Sequence, residues 1–191
     1  MIISRIENER FLIRPVTAAD EDQFMRIHQE NSEMENAYKD EHFRKSFWEK
    51  SLHSEDDIYM MIYYKEDSQH IGNCSFQNVN QKTIEIGIDI EKTKQSQGLG
   101  TGVLLLLVEY LKNNAPDQGH QIKTKSNNIP CQRMIEKAGG TRIGVEATEF
   151  DRIMDGMIPT LEKYGMTEQI DETKKVLDRN NGICAYIYEF V

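Results

Sequence analysis

The sequence lacks the features that would place it outside the cell or in a membrane. Its three cysteines, Cys74, Cys131 and Cys184, are odd in number and far apart, which does not suggest a disulfide framework. The longest apolar run, Val103 to Val108, is far too short to span a membrane. The first residues contain no apolar stretch like that of a signal peptide. We therefore expect a cytoplasmic protein in a reducing compartment.

Basic residues are fewer than acidic ones, 23 against 32, so the formal net charge is -9. Such a field repels nucleic acids and anionic membranes, and we expect neither as a partner. A cationic partner fits the charge better. At 191 residues the chain is long enough for one domain with a real core and too short for two, so we predict a single domain over residues 1–191.

Motifs for metals and for the common nucleotide sites are also absent from the sequence. The five histidines, at positions 28, 42, 53, 70 and 120, have no metal-ligand spacing, so no metal is expected and these residues are interpreted as surface or packing residues. No Gly-Lys-Ser/Thr triplet is present for a P-loop. These absences leave one glycine-rich stretch as the main functional signal.

That stretch runs from Gln95 to Gly102 and lies between a strand pattern and a helix pattern. Isoleucine alternates with small or acidic residues from Thr83 to Ile90, which predicts a strand with one buried face. Glycine allows close approach to the backbone, and the first N–H groups of a helix lack internal partners, so the stretch is suited to phosphate. Its glycines do not follow the Gly-x-Gly-x-x-Gly dinucleotide fingerprint. The alternative is a tight turn without a ligand.

The remaining patterns predict a mixed α/β domain. Strands are predicted at 11–14, 58–64, 70–76, 83–90, 121–125, 141–145 and 183–190, of which the first four form consecutive antiparallel neighbours. Two helices are predicted between the first two strands. A third is predicted from Gly98 to about Asn113, and a fourth begins at its cap, Asn128, and ends at Gly139. Thr17, with an acid three residues on at Asp20, offers a cap for the first helix.

Two motifs in this order resemble a known family. Gln95-x-x-Gly98-x-Gly100 resembles the pyrophosphate-binding signature of the GNAT superfamily of N-acetyltransferases. The segment from Asn128 to Gly139 is similar to the family's Asn-x-x-Ser/Ala-x-Arg-x-x-Glu-Lys-x-Gly segment. The resemblance spans roughly residues 9 to 147 and is closest in type to the ribosomal-protein N-terminal acetyltransferases. It implies the GNAT fold, a central, largely antiparallel sheet flanked by helices.

The resemblance also implies acetyl-CoA as co-substrate, bound against the strand that ends at Ile90. The cofactor-binding residues it implies are Ile88, Ile90, Gln95, Ser96, Gln97, Gly98, Leu99, Gly100, Thr101, Asn128 and Cys131. The implied reaction is direct transfer of acetyl to a primary amine, either a protein N-terminus or a small cationic amine. The alternative is a CoA-binding or regulatory module without turnover.

Glu85 is the candidate catalytic base, because the resemblance places a catalytic glutamate at this strand position in several members. The alternative is that Glu85 is a structural residue that points outward from the strand and pairs with a lysine. Many members carry a tyrosine that is thought to protonate the departing thiolate, but Ile135 stands there in this chain. Cys131 lies in the first turn of its helix, where the dipole can lower the pKa of a thiol. A covalent acetyl-cysteine route is the less favoured alternative to direct transfer.

Two segments have open interpretations. Residues 29–57 hold nine acids and four bases, which indicates either a solvated helix face or an acidic lip over the acceptor site. Apolar residues at helical spacing predict a helical insertion at about 149–180, with a turn from Asn180 to Gly182, before the last strand. We expect the insertion to form either a lid over the acceptor or the contact of a homodimer.

Overall fold

The computed structural model describes residues 3–32, 37–179 and 183–191. Within these residues it has eight strands and six α-helices. In chain order they are β1 (Ile6–Glu7), β2 (Phe11–Pro15), α1 (Glu21–Asn31), α2 (Glu41–His53), β3 (Ile58–Tyr64), β4 (Gln69–Gln77), β5 (Thr83–Ile90), α3 (Leu99–Asn114), β6 (Gly119–Lys125), α4 (Ile129–Lys137), β7 (Thr141–Glu146), α5 (Glu149–Lys163), α6 (Thr167–Arg179) and β8 (Ala185–Glu189).

All eight strands form one sheet in the order β1-β2-β3-β4-β5-β6-β8-β7. Every neighbouring pair is antiparallel except β5 and β6, which run parallel. The predicted α/β fold with a largely antiparallel sheet and flanking helices is confirmed. The prediction missed β1, whose two residues are too few to show a period.

The sheet is covered on both faces, which is why β3 reads as an almost continuous apolar run. On one face, Met60 and Ile62 belong to the main core with Val103 and Leu107 of α3. On the other face, Tyr59 and Met61 belong to a smaller core with residues of α1 and α2, including Phe24 and Trp48. The two faces of the sheet therefore have different chemical surroundings.

Helices α5 and α6 occupy the predicted insertion before β8 and pack against each other. Thr148 begins α5, and its hydroxyl accepts a hydrogen bond from the backbone N–H of Asp151. The predicted turn at Asn180 to Gly182 lies outside the described residues. No described helix is long and apolar enough to cross a membrane.

Candidate functional site

A gap opens in the sheet where β5 and β6 separate. The two strands pair only from Thr83 to Glu85 on β5 and from Gly119 to Gln121 on β6. Beyond that point β5 continues beside β4 to Ile90, and β6 continues beside β8 to Lys125. Because no hydrogen bonds hold β5 and β6 together beyond these three residues, a cleft opens between the two strands.

The glycine-rich stretch lies at the end of β5 and leads into α3. Ser96 and Gly98 both have left-handed backbones, with φ of 61° and 77°. Gly98 is the N-cap of α3, and no side chain there accepts a hydrogen bond from the first turn of the helix. A Cβ on Gly98 would meet no heavy atom within 4 Å. The first N–H groups of this 16-residue helix have no acceptor within the helix, and the open space at Gly98 leaves room there for an anionic group.

Gln95 and Gln97 stabilise this loop through their side chains. The Gln95 amide donates to the carbonyl of Ile90 at 2.9 Å and to Asn31 Oδ1 at 3.0 Å. The Gln97 amide donates to the carbonyl of Thr93 at 3.0 Å. These bonds turn both amides toward the protein, and the backbone N–H of Gln95 donates to the carbonyl of Lys92 at 3.4 Å, so Gln95 and Gln97 act on the shape of the loop.

Gly100 has a packing role that the sequence did not reveal. A Cβ at this position would lie 2.8 Å from Met134 Sδ and 3.6 Å from Ile90 Cγ1. The start of α3 therefore lies against α4 and the end of β5 at a distance that excludes a larger residue unless Met134 moves. Leu99, its neighbour, is buried in the main core, and Thr101 is half-buried.

The second motif forms the start of α4, across the cleft. The side chain of Asn128 accepts a hydrogen bond from the backbone N–H of Cys131 at 3.2 Å, which confirms the predicted cap. Burial raises the pKa of the Cys131 thiol, and a hydrogen bond with Thr124 opposes this rise without reversing it. The direction is opposite to the lowering that a position in the first turn of a helix can give, because burial disfavours the charged thiolate. Ile135 is fully buried in the main core.

Glu85 takes part in a chain of charges on β5, β6 and β7. Its Oε2 lies 2.8 Å from the ammonium nitrogen of Lys123, which is also 3.0 Å from Glu146 Oε1. Burial acts to lower the pKa of Lys123, but its hydrogen bonds with the two carboxylates outweigh burial and raise this pKa. Arg152 of α5 lies 3.5 Å from Glu146. Glu85 thus has the lysine partner that was considered as the alternative to a catalytic role.

A cavity of about 670 Å³ lies on the α1 and α2 side of the sheet and reaches the cleft at Gly87 and Ile88. Most of the described residues that line it fall into two groups. One is a wall of aromatic rings from α1, α2, the turn before α2 and β3, and the other is a floor of small and polar residues from β4 and β5. The five outside both groups are Ser32, Lys50, Lys125, Thr148 and Ile153. The ring wall consists of Phe24, His28, Tyr38, Phe43, Phe47 and Tyr59.

His28 and Asp89 meet in this cavity, a pairing that the sequence analysis missed. His28 Nδ1 lies 3.0 Å from Asp89 Oδ2, and the His28 ring stacks on Phe47 with centroids 4.4 Å apart. Asp89 alternates with isoleucines along β5, so its face was predictable from the sequence. His28 is 61 residues away on α1, and no spacing rule connects it to Asp89.

The acid-rich segment 29–57 gives this cavity rings rather than carboxylates. Its described residues at the cavity are Ser32, Tyr38, Phe43, Phe47 and Lys50. None of the acids that the structure describes in this segment lines the cavity. Glu33 and Glu35 lie outside the described residues. Over the described part, the solvated-face interpretation fits better than the acidic lip.

In the described ranges, no group of three or more His, Cys, Asp or Glu side chains is placed to hold a metal ion. The glycine loop, the diverging strands and the capped α4 are instead suited to an extended ligand with an anionic group. Residues 10–141 match the model of the acetyltransferase (GNAT) domain. The chain belongs to the GNAT acetyltransferase family. As a member of this family, it is an acyltransferase.

Solved structures of the GNAT fold resemble the whole chain or most of it. A GNAT-family acetyltransferase from Bacillus anthracis has a TM-score of 0.66 at 16% identity, and the match covers 98% of each chain. A ribosomal-protein α-N-acetyltransferase, RimL, in complex with coenzyme A has a TM-score of 0.64 at 15% identity, covering 76% of this chain and 89% of that one. A Vibrio cholerae spermidine N-acetyltransferase with CoA and spermine has a TM-score of 0.61 at 15% identity, covering 74% and 87%.

These identities are too low to carry a substrate from one GNAT enzyme to another, and they show the fold alone. The first match extends over nearly the whole of both chains, α5 and α6 included. Among curated proteins, none matches this chain by sequence.

Proposed function

We propose that this GNAT protein transfers acetyl from acetyl-CoA directly to a primary amine. The observation that carries the proposal is the cleft between β5 and β6, which ends at the uncapped N-terminus of α3. An extended thioester can lie along the separated strands while its phosphates meet the loop. Acetyl-CoA supplies the activated acetyl group, and the protein supplies binding, orientation and proton transfer.

The residues of the loop fit a pyrophosphate. Backbone N–H groups of residues 96–101 would hold it, with Gly98 leaving room for close approach and the side chains of Gln95 and Gln97 stabilising the loop. Ile88 and Ile90 would lie along the pantetheine, and Asn128 and Cys131 would lie at its far side on α4. In the RimL complex, coenzyme A forms a disulfide with a cysteine. This supports a place for Cys131 near the sulfur end of the cofactor.

The reaction requires that a protonated amine become a nucleophile. With an ordinary pKa of about 10.4, this costs roughly 4 to 5 kcal/mol at pH 7. The nitrogen lone pair forms the bond to the acetyl carbon, and the carbon–sulfur bond breaks with its electron pair on sulfur. Of the two protons that the ammonium loses, one goes to the thiolate and one to solvent. We propose Glu85 as the residue that accepts the first proton, directly or through water.

The acceptor is a protein N-terminus or a small cationic amine. The solved relatives include enzymes for both classes, a ribosomal-protein acetyltransferase and a spermidine acetyltransferase. Acetylation of a panel of amines and N-terminal peptides by the purified protein tests the proposal. Counting acetylated protein N-termini in cells with and without the gene separates the two classes, because a small-molecule enzyme leaves this count unchanged.

The second candidate function is a CoA-binding module without turnover. It is favoured by Ile135, which is buried where many relatives carry a tyrosine that serves as the acid. If the module is correct, calorimetry detects CoA binding while no amine in the panel is acetylated. If the enzyme is correct, binding and product formation occur together.

A further inference from the structure

The cavity beside the cleft has a composition that selects its ligand. Its ring wall and its strand floor face each other across about 670 Å³, a volume that accommodates a small organic molecule. The floor residues Gly87, Ile88 and Asp89 belong to β5, the strand along which the thioester would lie. A ligand of this cavity would therefore have one end beside the acetyl group.

Asp89 is the only carboxylate among the described residues that line the cavity. Its side chain is 32% exposed, and His28 holds one of its oxygens at 3.0 Å. The His28 ring is fixed in turn by stacking on Phe47 and by an edge-to-face contact with Tyr38 at 5.5 Å. The carboxylate is thus oriented by its surroundings, and its second oxygen, Oδ1, can receive an ammonium group.

Apart from Asp89, the described lining of the cavity offers no anion to a second positive charge on the ligand. The lining includes two lysines, Lys50 and Lys125, beside the one carboxylate. Lys50 is neutralised by Asp57 at 3.1 Å, so the described lining is not acidic overall. A polyamine carries several ammonium groups, and this lining pairs only one of them with a carboxylate.

The floor offers few hydrogen bonds to a peptide. The side-chain amide of Asn73 donates to the carbonyl of Phe24 at 2.8 Å, and that of Gln77 donates to Ser75 Oγ at 3.1 Å. A peptide brings one N–H and one C=O per residue, and each costs free energy if it is buried without a partner. In the ring wall only Tyr38, Tyr59 and His28 carry polar atoms, and its ring faces fit a flat apolar group through offset or edge-to-face contacts.

We propose that this cavity is the acceptor site and that it takes a single primary amine on a flat apolar body, as in an arylalkylamine. The ammonium first binds Asp89 and then moves along β5 to the acetyl group, where Glu85 accepts its proton through water, and the body lies against the rings of Phe43 and Phe47. This inference rests on the acetyl transfer proposed above. It is a statement about which amine is acetylated, and its failure leaves the transfer itself intact.

The test compares phenethylamine, hexylamine, spermidine and a short peptide with a free N-terminus as acceptors. We expect phenethylamine to have the highest kcat/KM, at least about tenfold above spermidine and the peptide. Asp89→Asn should lower kcat/KM for phenethylamine at least tenfold and leave CoA affinity unchanged. Asp117→Asn, an exposed carboxylate on the turn after α3, is the matched control and should change neither quantity.

A second variant tests the ring wall without altering charge. Phe47→Leu should lower the preference for phenethylamine over hexylamine by about two- to tenfold, the range expected for an aromatic contact. A preference for spermidine or the peptide, or full activity of Asp89→Asn, overturns the inference while the transfer stands. Failure of the transfer is recognised separately, because calorimetry would then show phenethylamine binding that depends on Asp89 without any product.

Discussion

Replacing Glu85 and Lys123 one at a time separates a catalytic role of Glu85 from a structural one. Both residues belong to the same ion pair, at 2.8 Å, so either replacement removes that pair. Only Glu85→Gln also removes the proposed base. In Lys123→Gln the carboxylate of Glu85 stays, and Glu146 keeps Arg152 at 3.5 Å, so Glu146 is not left without a cation.

The expected magnitudes are far enough apart to decide between the two roles. The side chains of Lys123 and Glu85 are about a quarter exposed, 27% and 25%, and an ion pair of this kind contributes up to about 1 kcal/mol to stability. Loss of a general base lowers kcat/KM by about 10² to 10⁴, or roughly 3 to 5 kcal/mol of transition-state stabilisation. The ion pair is too weak to account for a loss of that size.

The assay is kcat/KM for the best amine across a range of pH, with CoA affinity from calorimetry and unfolding midpoints measured for each variant. We expect Glu85→Gln to lose at least a hundredfold in kcat/KM, to lose the acidic limb of the pH profile and to keep its CoA affinity. Lys123→Gln should stay within about threefold of the unmodified protein. Equal losses in the two variants, or a loss below about fivefold in Glu85→Gln, would refute a base at this position.

Three further predictions concern the loop, the first helix and the insertion. Gly100→Val should weaken CoA binding at least tenfold by calorimetry, because a Cβ at this position would lie 2.8 Å from Met134 Sδ and would displace the start of α3, whose N–H groups the phosphate needs. Arg14 holds the pKa of Asp20 at about 2, below its ordinary 3.8, so Asp20→Asn should lower the free energy of unfolding by about 2 kcal/mol at pH 7. Urea unfolding should show the full difference in free energy of unfolding above about pH 4. The difference should shrink as the pH falls toward 2, because Asp20 in the unmodified protein then becomes protonated. Replacing residues 149–180 by a short Gly-Ser turn should keep CoA binding and change acceptor KM or kcat, since Ile153 lines the cavity, whereas unchanged kinetics with conversion of a dimer to a monomer would favour an interface.

Local patterns were enough to predict most of the fold. The isoleucine alternation of β5 and the cap at Asn128 depend only on residues close in sequence, and both are confirmed at the predicted positions. The pairing of Thr17 and Asp20 was also predicted, and the Asp20 carboxylate accepts bonds from the Thr17 backbone N–H and hydroxyl at 2.7 and 2.8 Å. Arg14, which binds the same carboxylate with two nitrogens, was not predicted, because it comes from β2.

The candidate site was less predictable because it depends on contacts between distant segments. The parallel pairing of β5 with β6 for only three residues cannot be read from either strand, yet it opens the cleft. The meeting of His28 with Asp89, and of Glu85 with Lys123, likewise joins segments that lie far apart in the chain. The pKa of Cys131 depends on how deeply its helix packs, which the motif does not specify.

The central claim, direct transfer from bound acetyl-CoA to an amine, is tested most directly by counting two products in one reaction. Purified protein, acetyl-CoA and one amine from the panel are mixed, and free CoA thiol and N-acetylated amine are measured together by mass spectrometry over time. The account predicts one N-acetyl product for each thiol released, with no acetyl group left on the protein. CoA binding without thiol release above the spontaneous rate for every amine tested would contradict it, as would a covalent acetyl-protein that forms before the product.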